Sequence, residues 1–179
     1  MKIVRRIIYD LIYIILNSII NHIPIWWVRK LCYQFFGMKI GKRARIGIRT
    51  IVIEPWKIRI GDRTVINEDC YLNGAGGLDI GSDVSISIYT KILTASHLKD
   101  SDDFQYVTGR VIIENKVWVG IGAIILMSSR IREKAIIGAG AVFNGDSVEK
   151  GIYFGIPARL SKQREIGDEY KIEYTAFFR

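Results

Sequence analysis

Residues 113–143 read IENKVWVGIGAIILMSSRIREKAIIGAGAVF, and an aliphatic side chain or Phe recurs every six residues along them. The same period occurs in three earlier blocks, which begin at Ile40, Ile60 and Ile80. A helix repeats about every 3.6 residues and a strand every two, so a six-residue period predicts a chain that turns a corner at regular intervals. Three such corners close a triangular coil.

The repeat divides into five coils of eighteen residues, 40–57, 60–77, 80–97, 113–130 and 131–148. Four residues after each aliphatic comes a side chain that is mostly small, with Trp56 as the clear exception. One coil cannot bury its own apolar row, so the aliphatics must stack on those of neighbouring coils. The Gly, Asn and Asp residues that follow many aliphatics are expected to form the turns. These features predict an all-β solenoid.

The amino-terminal segment predicts a helical hairpin, because Arg6, Asp10, Tyr13 and Asn17 form one polar stripe among Ile and Leu residues. Pro24 suits the start of a second helix and Gly37 its end. Residues 1–45 hold nine Lys or Arg against one acidic residue, which accounts for the net charge of +8. Two roles stay open: packing on the solenoid or a partner subunit, and contact of Trp26, Trp27 and the basic residues with a membrane.

The composition also excludes several classes of protein. Basic charge on the most apolar segment favours an anionic membrane surface over nucleic acid. The apolar run at residues 7–20 is interrupted by Asp10 and Asn17 and lacks a small-residue cleavage site, so a cytoplasmic protein is predicted, with peripheral contact at the inner membrane face as an option.

Cys32 and Cys70 offer no disulfide framework, and Cys70 falls at a packing position. Only two histidines are present, too few for a three-histidine zinc site, and no metal is expected.

His97 is the candidate catalytic residue because it ends the third coil, immediately before the longest break in the repeat. That break is a fifteen-residue excursion, LKDSDDFQYVTGRVI, at residues 98–112. A loop that leaves a regular scaffold is a common place for a substrate cleft. An imidazole there could serve as a general base near neutral pH.

The sequence resembles the hexapeptide-repeat acyltransferases, which fold as left-handed parallel β-helices. The resemblance covers about residues 38–165 and rests on the repeat together with ILTASHLKD, EPWKIRIGD, INEDCYLNGAGGLDIG, NKVWVGIGAIIL, AIIGAGAVF and FGIPARL. It lies in the branch of maltose, galactoside and capsular polysaccharide O-acetyltransferases. It implies a left-handed β-helix of about five coils at residues 38–160 with loop 98–112, after a hairpin at 1–37 and before a tail at 161–179.

The resemblance further implies transfer of acetyl from acetyl-CoA to a sugar hydroxyl, in surface polysaccharide biosynthesis, by a homotrimer that acts on a sugar or glycolipid. His97 would be the general base, and Asn73 would contact the acceptor or reacting group. Trp118 would wall the coenzyme arm, and the amides of Ile121 and Ala139 would bind the pantetheine. The remaining coenzyme contacts implied are Asn144 beside the adenine, where the family often has Thr, and Arg159 and Lys162 near the phosphates.

Two alternatives to this activity remain open. The same base could serve an amine, so an amino-sugar N-acetyltransferase is one of them. The other is a non-catalytic scaffold, in which the coils form an assembly surface and the hairpin contacts a membrane. Saturable binding or turnover of acetyl-CoA distinguishes an enzyme from such a scaffold.

Overall fold

The computed structural model describes residues 2–167 and 169–173. Helix α1 spans Lys2–Ile14 and continues through a π-helical turn, Ile15–Ile19, and a 3₁₀ turn, Ile20–His22, before helix α2, Trp26–Phe35. A three-faced coil of short parallel strands follows, with one further 3₁₀ turn at Pro55–Lys57. The predicted helical hairpin and β-solenoid are therefore both present.

The strands stack in three parallel sheets, one for each face of the coil. Face A contains β1 Lys39–Ile40, β4 Ile58–Ile60, β7 Leu78–Ile80, β12 Val111–Ile113 and β15 Arg130–Ile131. Face B contains β2 Arg45–Ile46, β5 Val65–Ile66, β8 Ser85–Ile86, β13 Trp118–Val119, β16 Ile136–Ile137 and β18 Gly151–Phe154. Face C contains β3 Ile51–Ile53, β6 Tyr71–Asn73, β9 Lys91–Ile92, β14 Ile124–Ile125 and β17 Val142–Phe143. The five expected coils are present, and β18 begins a sixth turn.

The interior is built from the fifteen repeat positions, as the sequence predicts. They are Ile40, Ile46, Val52, Ile60, Ile66, Leu72, Ile80, Ile86, Ile92, Ile113, Val119, Ile125, Ile131, Ile137 and Phe143, and all of them are buried. On face A the strand register sets Ile40 opposite Ile60, and Ile60 opposite Ile80. Each aliphatic thus stacks on the equivalent side chain of the next coil, where full burial contributes about 1.5–3 kcal/mol.

The glycines that follow the aliphatics have a different role from the turn role expected of them. Gly41 and Gly61 do not adopt a positive φ. A Cβ on Gly61 would lie 2.5 Å from the carbonyl carbon of Gly81, so neighbouring coils approach too closely there for any side chain. The left-handed conformation falls two residues later, at Arg63 (φ 55°) and Asp83 (φ 57°). These two also form an ion pair between successive coils at 2.6 Å.

The excursion after the third coil is a two-stranded antiparallel ribbon. Its strands are β10, Ala95–His97, and β11, Tyr106–Thr108, with His97 opposite Tyr106. The chain therefore leaves the coil about three residues before residue 98, where the sequence places the boundary, and it rejoins face A at Val111. Ser96 is exposed as a result, although its repeat position is that of a packed residue.

The hairpin caps the first coil of the solenoid, where Leu16 and Ile20 are buried and Asn17 is the residue of the polar stripe that contacts the coil. Asn17 forms two hydrogen bonds with the backbone of Val52: its Nδ2 donates to the carbonyl at 2.9 Å, and its Oδ1 accepts from the N–H at 2.8 Å. Arg29 is fully buried, and its guanidinium donates to the carbonyl of Ile46 at 2.7 Å. Lys30 Nζ donates to the carbonyl of Gly41 at 2.9 Å. One face of the hairpin therefore packs on the solenoid, which is one of the two roles considered for it.

The opposite face of the hairpin is apolar and exposed. Along α1 the exposed side chains include Ile7, Leu11 and Ile14, and along α2 they include Trp27 and Phe35, which are 64% and 85% accessible. A helix on a protein surface normally turns its polar side to water, so this many exposed apolar side chains are unusual. In the part of the chain that the structure describes, no helix is both long and apolar enough to cross a membrane.

Candidate functional site

His97 stands at the open end of β10, with an exposed imidazole held by the ribbon itself. Its Nδ1 lies 2.7 Å from the carbonyl oxygen of Phe104, and the two rings stack with centroids 3.7 Å apart. Because a carbonyl can only accept, Nδ1 must carry the proton. The neutral imidazole therefore has an unprotonated Nε2 that can accept a proton from a substrate.

A tyrosine of the ribbon flanks the imidazole of His97. Tyr106 packs edge-on against the imidazole, with ring centroids 5.5 Å apart. Burial raises the pKa of Tyr71 on face C, and the nearby hydroxyls of Tyr13 and Tyr106 raise it further. The second strand of the ribbon therefore supplies the aromatic ring that packs against the candidate base.

Asn73 is held at the corner between faces C and A, below the ribbon. Its Oδ1 accepts from the N–H of Ala75 at 2.8 Å, and the Thr94 hydroxyl lies 3.1 Å from the same oxygen. Thr94 comes one residue before the ribbon, so it links Asn73 to the strand that carries His97. With Oδ1 engaged, the Nδ2 group of Asn73 can donate a hydrogen bond to a ligand.

Four of the six residues implied in coenzyme binding line one apolar cavity of about 380 Å³ beside face B: Trp118, Ile121, Ala139 and Lys162. Trp118 is half-exposed, and its indole N–H donates to Ser87 Oγ at 3.2 Å. Among residues 2–167 and 169–173, the backbone N–H groups of Ile121 and Ala139 have no hydrogen-bond partner. Such free amides beside an apolar slot suit an amide-containing chain.

The other two residues lie elsewhere. Asn144 lines a separate cavity of about 320 Å³ together with Ser96 and Met127. Arg159 begins strand β19, Arg159–Gln163, which runs antiparallel to β18, and its side chain is exposed. The structure does not bring Asn144 or Arg159 to the Trp118 cavity.

Within one chain, His97 and Trp118 occupy different corners of the triangular coil. His97 extends from the corner between faces C and A, whereas the cavity wall of Ile121 and Ala139 follows face B. Face C separates these two corners. A base and a coenzyme slot placed in this way cannot meet on a single subunit.

Cys70 is a packed residue, as its repeat position predicts. It is 2% accessible, and burial raises the pKa of its thiol to about 12. A thiol with so high a pKa is almost entirely protonated at neutral pH and is a poor nucleophile. This agrees with direct transfer, without an intermediate on Cys70.

Sequence reasoning did not single out Tyr13, Tyr71 and Thr94 as residues of the site. Thr94 and Tyr71 lie within the motifs ILTASHLKD and INEDCYLNGAGGLDIG but were given no role there, and Tyr13 belongs to another element. Only the folding of α1 against the first coil brings Tyr13 to this corner, where it lines a cavity with Val52 and Trp56. The only indication in the sequence that Tyr13 has a role is its place in the polar stripe of α1.

The chain has relatives among acetyltransferases, although no protein-family model matches it. It is 28% identical over 111 residues to a protein of Escherichia coli K12 described as the colanic acid biosynthesis acetyltransferase WcaF; the match covers 62% of this chain and 61% of WcaF. It thus spans less than two thirds of that relative's length.

Solved structures of acetyltransferases share the fold. A hexapeptide-repeat acetyltransferase of Vibrio cholerae, complexed with acetyl-CoA, superposes with a TM-score of 0.78 at 22% identity and covers 88% of this chain and 86% of its own. A maltose O-acetyltransferase of Clostridium difficile reaches a TM-score of 0.79 at 24% identity, with coverages of 84% and 83%. The chain is therefore similar in sequence to acetyltransferases and shares the left-handed β-helical fold of the hexapeptide-repeat acetyltransferases.

Proposed function

We propose that the protein transfers acetyl from acetyl-CoA to a hydroxyl of a sugar, in the biosynthesis of a surface polysaccharide, with His97 as general base. The observation that carries this proposal is the hydrogen bond between His97 Nδ1 and the Phe104 carbonyl, which leaves Nε2 as the acceptor. Relatives with acetyltransferase names and neighbours with acetyl-CoA in their titles support the reaction class.

In the proposed reaction, the acceptor oxygen attacks the thioester carbonyl carbon while Nε2 of His97 takes the hydroxyl proton. The new C–O bond forms, the C–S bond breaks, and the proton passes from His97 to the departing CoA sulfur. Asn73 Nδ2 would donate to the acceptor or to the developing oxyanion, and its amide is already oriented by Ala75. An imidazole with this geometry would also serve an amine, so N-acetylation of an amino sugar is the second candidate.

The side chains and amides that line the cavity beside face B are chemically suited to acetyl-CoA. The pantetheine arm is a thin chain with two amides, which match the free N–H groups of Ile121 and Ala139. Its methylenes would pack on Trp118, and Lys162 would lie near its phosphates. Asn144 and Arg159 would contact the adenine and phosphates from outside this cavity.

A second copy of the chain would complete the site, because His97 and the coenzyme cavity lie on separate corners of one subunit. In a cyclic trimer, the C–A corner of one subunit would face the Trp118 cavity of the next. The acetyl group at the end of the coenzyme would then reach the neighbour's His97. The homotrimer is thus part of the proposed mechanism.

The test of the reaction is acetyl transfer from radiolabelled acetyl-CoA to a panel of free, nucleotide-linked and lipid-linked sugars. His97→Ala should lower turnover by about 10²- to 10⁴-fold, the usual contribution of a general base. Its melting temperature should not change, since the imidazole is exposed. Wild-type turnover in this variant would refute the role of His97. Faster transfer to amino groups than to hydroxyls would favour the second candidate.

The exposed face of the hairpin would lie on an anionic phospholipid surface. Its apolar side chains, with Trp27 among them, are supplied by the segment that also holds nine of the basic residues. Apolar burial plus attraction to anionic headgroups is the usual basis of interfacial binding. On this proposal the protein would lie at the inner face of the cytoplasmic membrane.

Vesicle co-sedimentation tests this contact. The protein should pellet with phosphatidylglycerol vesicles and much less with phosphatidylcholine vesicles, and Trp27→Glu or Leu31→Glu should release it. Tyr89→Glu is the matched control, because Tyr89 is 55% accessible and lies on the solenoid. Equal recovery in the supernatant with and without vesicles would refute the contact. A concentration-dependent dimerisation abolished by Leu31→Glu would instead assign the face to a second copy.

A further inference from the structure

A basic pocket lies at the corner between faces C and A, beside the ribbon that carries His97. Its cavity measures about 370 Å³ and is lined by Lys57, Arg59, Asp79, Thr108 and Arg110, among others. Three of these side chains are cationic and one is a carboxylate. We call this cavity the basic pocket.

The charges of the basic pocket are not balanced. Asp79 lies between the two arginines, 3.5 Å from Arg59 Nη1 and 3.2 Å from Arg110 Nη1. Lys57 pairs with Glu54 at 2.8 Å, so one net positive charge remains. Each arginine side chain is more than half accessible and offers five N–H donors, of which Asp79 can engage only part.

Glycine forms the floor of the basic pocket and admits the guanidinium of Arg110. Gly77 has a φ of +93°, and a Cβ there would lie 3.1 Å from Arg110 Nε. Any other residue would be strained and would push the guanidinium outward. The second glycine of the Gly-Gly pair in the motif GAGGLDIG is Gly77, and the pocket therefore requires glycine at this position.

The basic pocket and His97 share the ribbon, which brings them close together. Thr108 lines the pocket and lies two residues along β11 from Tyr106, the cross-strand partner of His97. Side chains two residues apart point to the same face of a strand, about 7 Å apart. Asn73 is likewise two residues from Ala75, another lining residue, whose carbonyl accepts from Lys57 Nζ at 2.8 Å. A sugar with its hydroxyl at His97 would thus place its next substituent in the pocket.

We propose that the basic pocket binds a phosphate or diphosphate group carried by the acceptor sugar. This rests on the proposed function and narrows the acceptor to phosphorylated or diphosphate-linked sugars. Paired arginines suit phosphate because each guanidinium presents parallel N–H donors to two oxygens. A neutral sugar would leave the excess charge of the pocket without a partner.

Calorimetric titration of the protein with inorganic diphosphate at low ionic strength tests the pocket without requiring turnover. Saturable binding should weaken about tenfold or more in Arg110→Gln and in Arg59→Gln, in line with the loss of one charge-assisted hydrogen bond. Arg49→Gln is the matched control, since it removes an ion pair of the same kind, with Asp69, at another corner. Equal affinity in all four proteins, or no saturable binding, would overturn the proposal.

Two further arms separate the phosphate sources. Lys162→Gln should not change diphosphate binding. If Lys162→Gln abolished diphosphate binding and Arg110→Gln did not, the phosphate would bind at the coenzyme end and the proposal would be overturned. A nucleotide diphosphate-sugar in solution and a polyprenyl diphosphate-sugar in vesicles serve as acceptors, and Arg110→Gln should raise KM about tenfold for whichever is used. An unchanged KM for the acceptor that is used would overturn the proposal. Full turnover in His97→Ala would refute the proposed function, whereas the calorimetric result stands on its own.

Discussion

Mixing two inactive chains should restore activity if the site lies between subunits. The first chain carries His97→Ala and lacks the base. The second carries Ala139→Trp, which fills the coenzyme cavity with an indole; Ala139 is exposed, so the solenoid should still fold. Homotrimers of either variant should therefore be folded and nearly inactive.

The expected activity follows from the separation of the two corners. A complete site takes His97 from one subunit and the cavity from the next. Around a cyclic trimer that contains both variants, in either ratio, one of the three junctions joins an intact His97 to an intact cavity. Mixed trimers should therefore show about one third of wild-type turnover per trimer.

The assay uses co-expressed chains with two different affinity tags, purified on both tags in succession so that only mixed trimers remain. Mixing His97→Ala with Asn73→Ala is the control, because both residues belong to the same corner and no junction regains both. Mixed trimers as inactive as their parents would refute the shared site. A chain that is monomeric by light scattering yet active would also refute it.

Asn17→Ala should lower the free energy of unfolding by about 1–3 kcal/mol, measured by urea denaturation, because it leaves buried backbone groups of the first coil unpaired. Gly61→Ala should destabilise the coil by about 1–3 kcal/mol through overpacking, whereas Gly167→Ala, with no atom within 4 Å, should be neutral by thermal melting. Arg63 holds the pKa of Asp83 below its usual range, so this carboxylate stabilises the fold above its unfolded-state pKa and loses that effect as the pH falls through the folded value. Asp83→Asn should therefore lower the melting temperature at neutral pH and flatten its decline in acid; an unchanged slope would contradict this role.

The repeat made the core of the solenoid predictable, because each of its positions experiences the same surroundings in every coil. Ile86 and Ile125 can be assigned to the interior by period alone, since the packing that buries one buries all. The same argument cannot locate the left-handed residues. Arg63 adopts positive φ because of its place on the corner, although its side chain gives no sign of it.

The candidate site was predictable only where the repeat is interrupted. His97 was found because it precedes the break, and Trp118 because its segment resembles a family motif. Tyr13 and Arg110 depend on contacts between distant parts of the chain, which no local pattern encodes. The inward direction of Asn17 could not be derived either, because a helix buries whichever side its neighbour complements, and here the first coil offers the N–H and carbonyl of Val52.

The donors that the hairpin supplies to the first coil also explain how the protein remains a discrete particle. The first coil of a parallel β-helix has unpaired backbone groups along its sheet edges, which can pair with the last coil of another copy. Asn17, Arg29 and Lys30 occupy the carbonyls that such a copy would use. The hairpin therefore blocks the end-to-end stacking of solenoids. Its removal should allow copies of the protein to assemble into filaments.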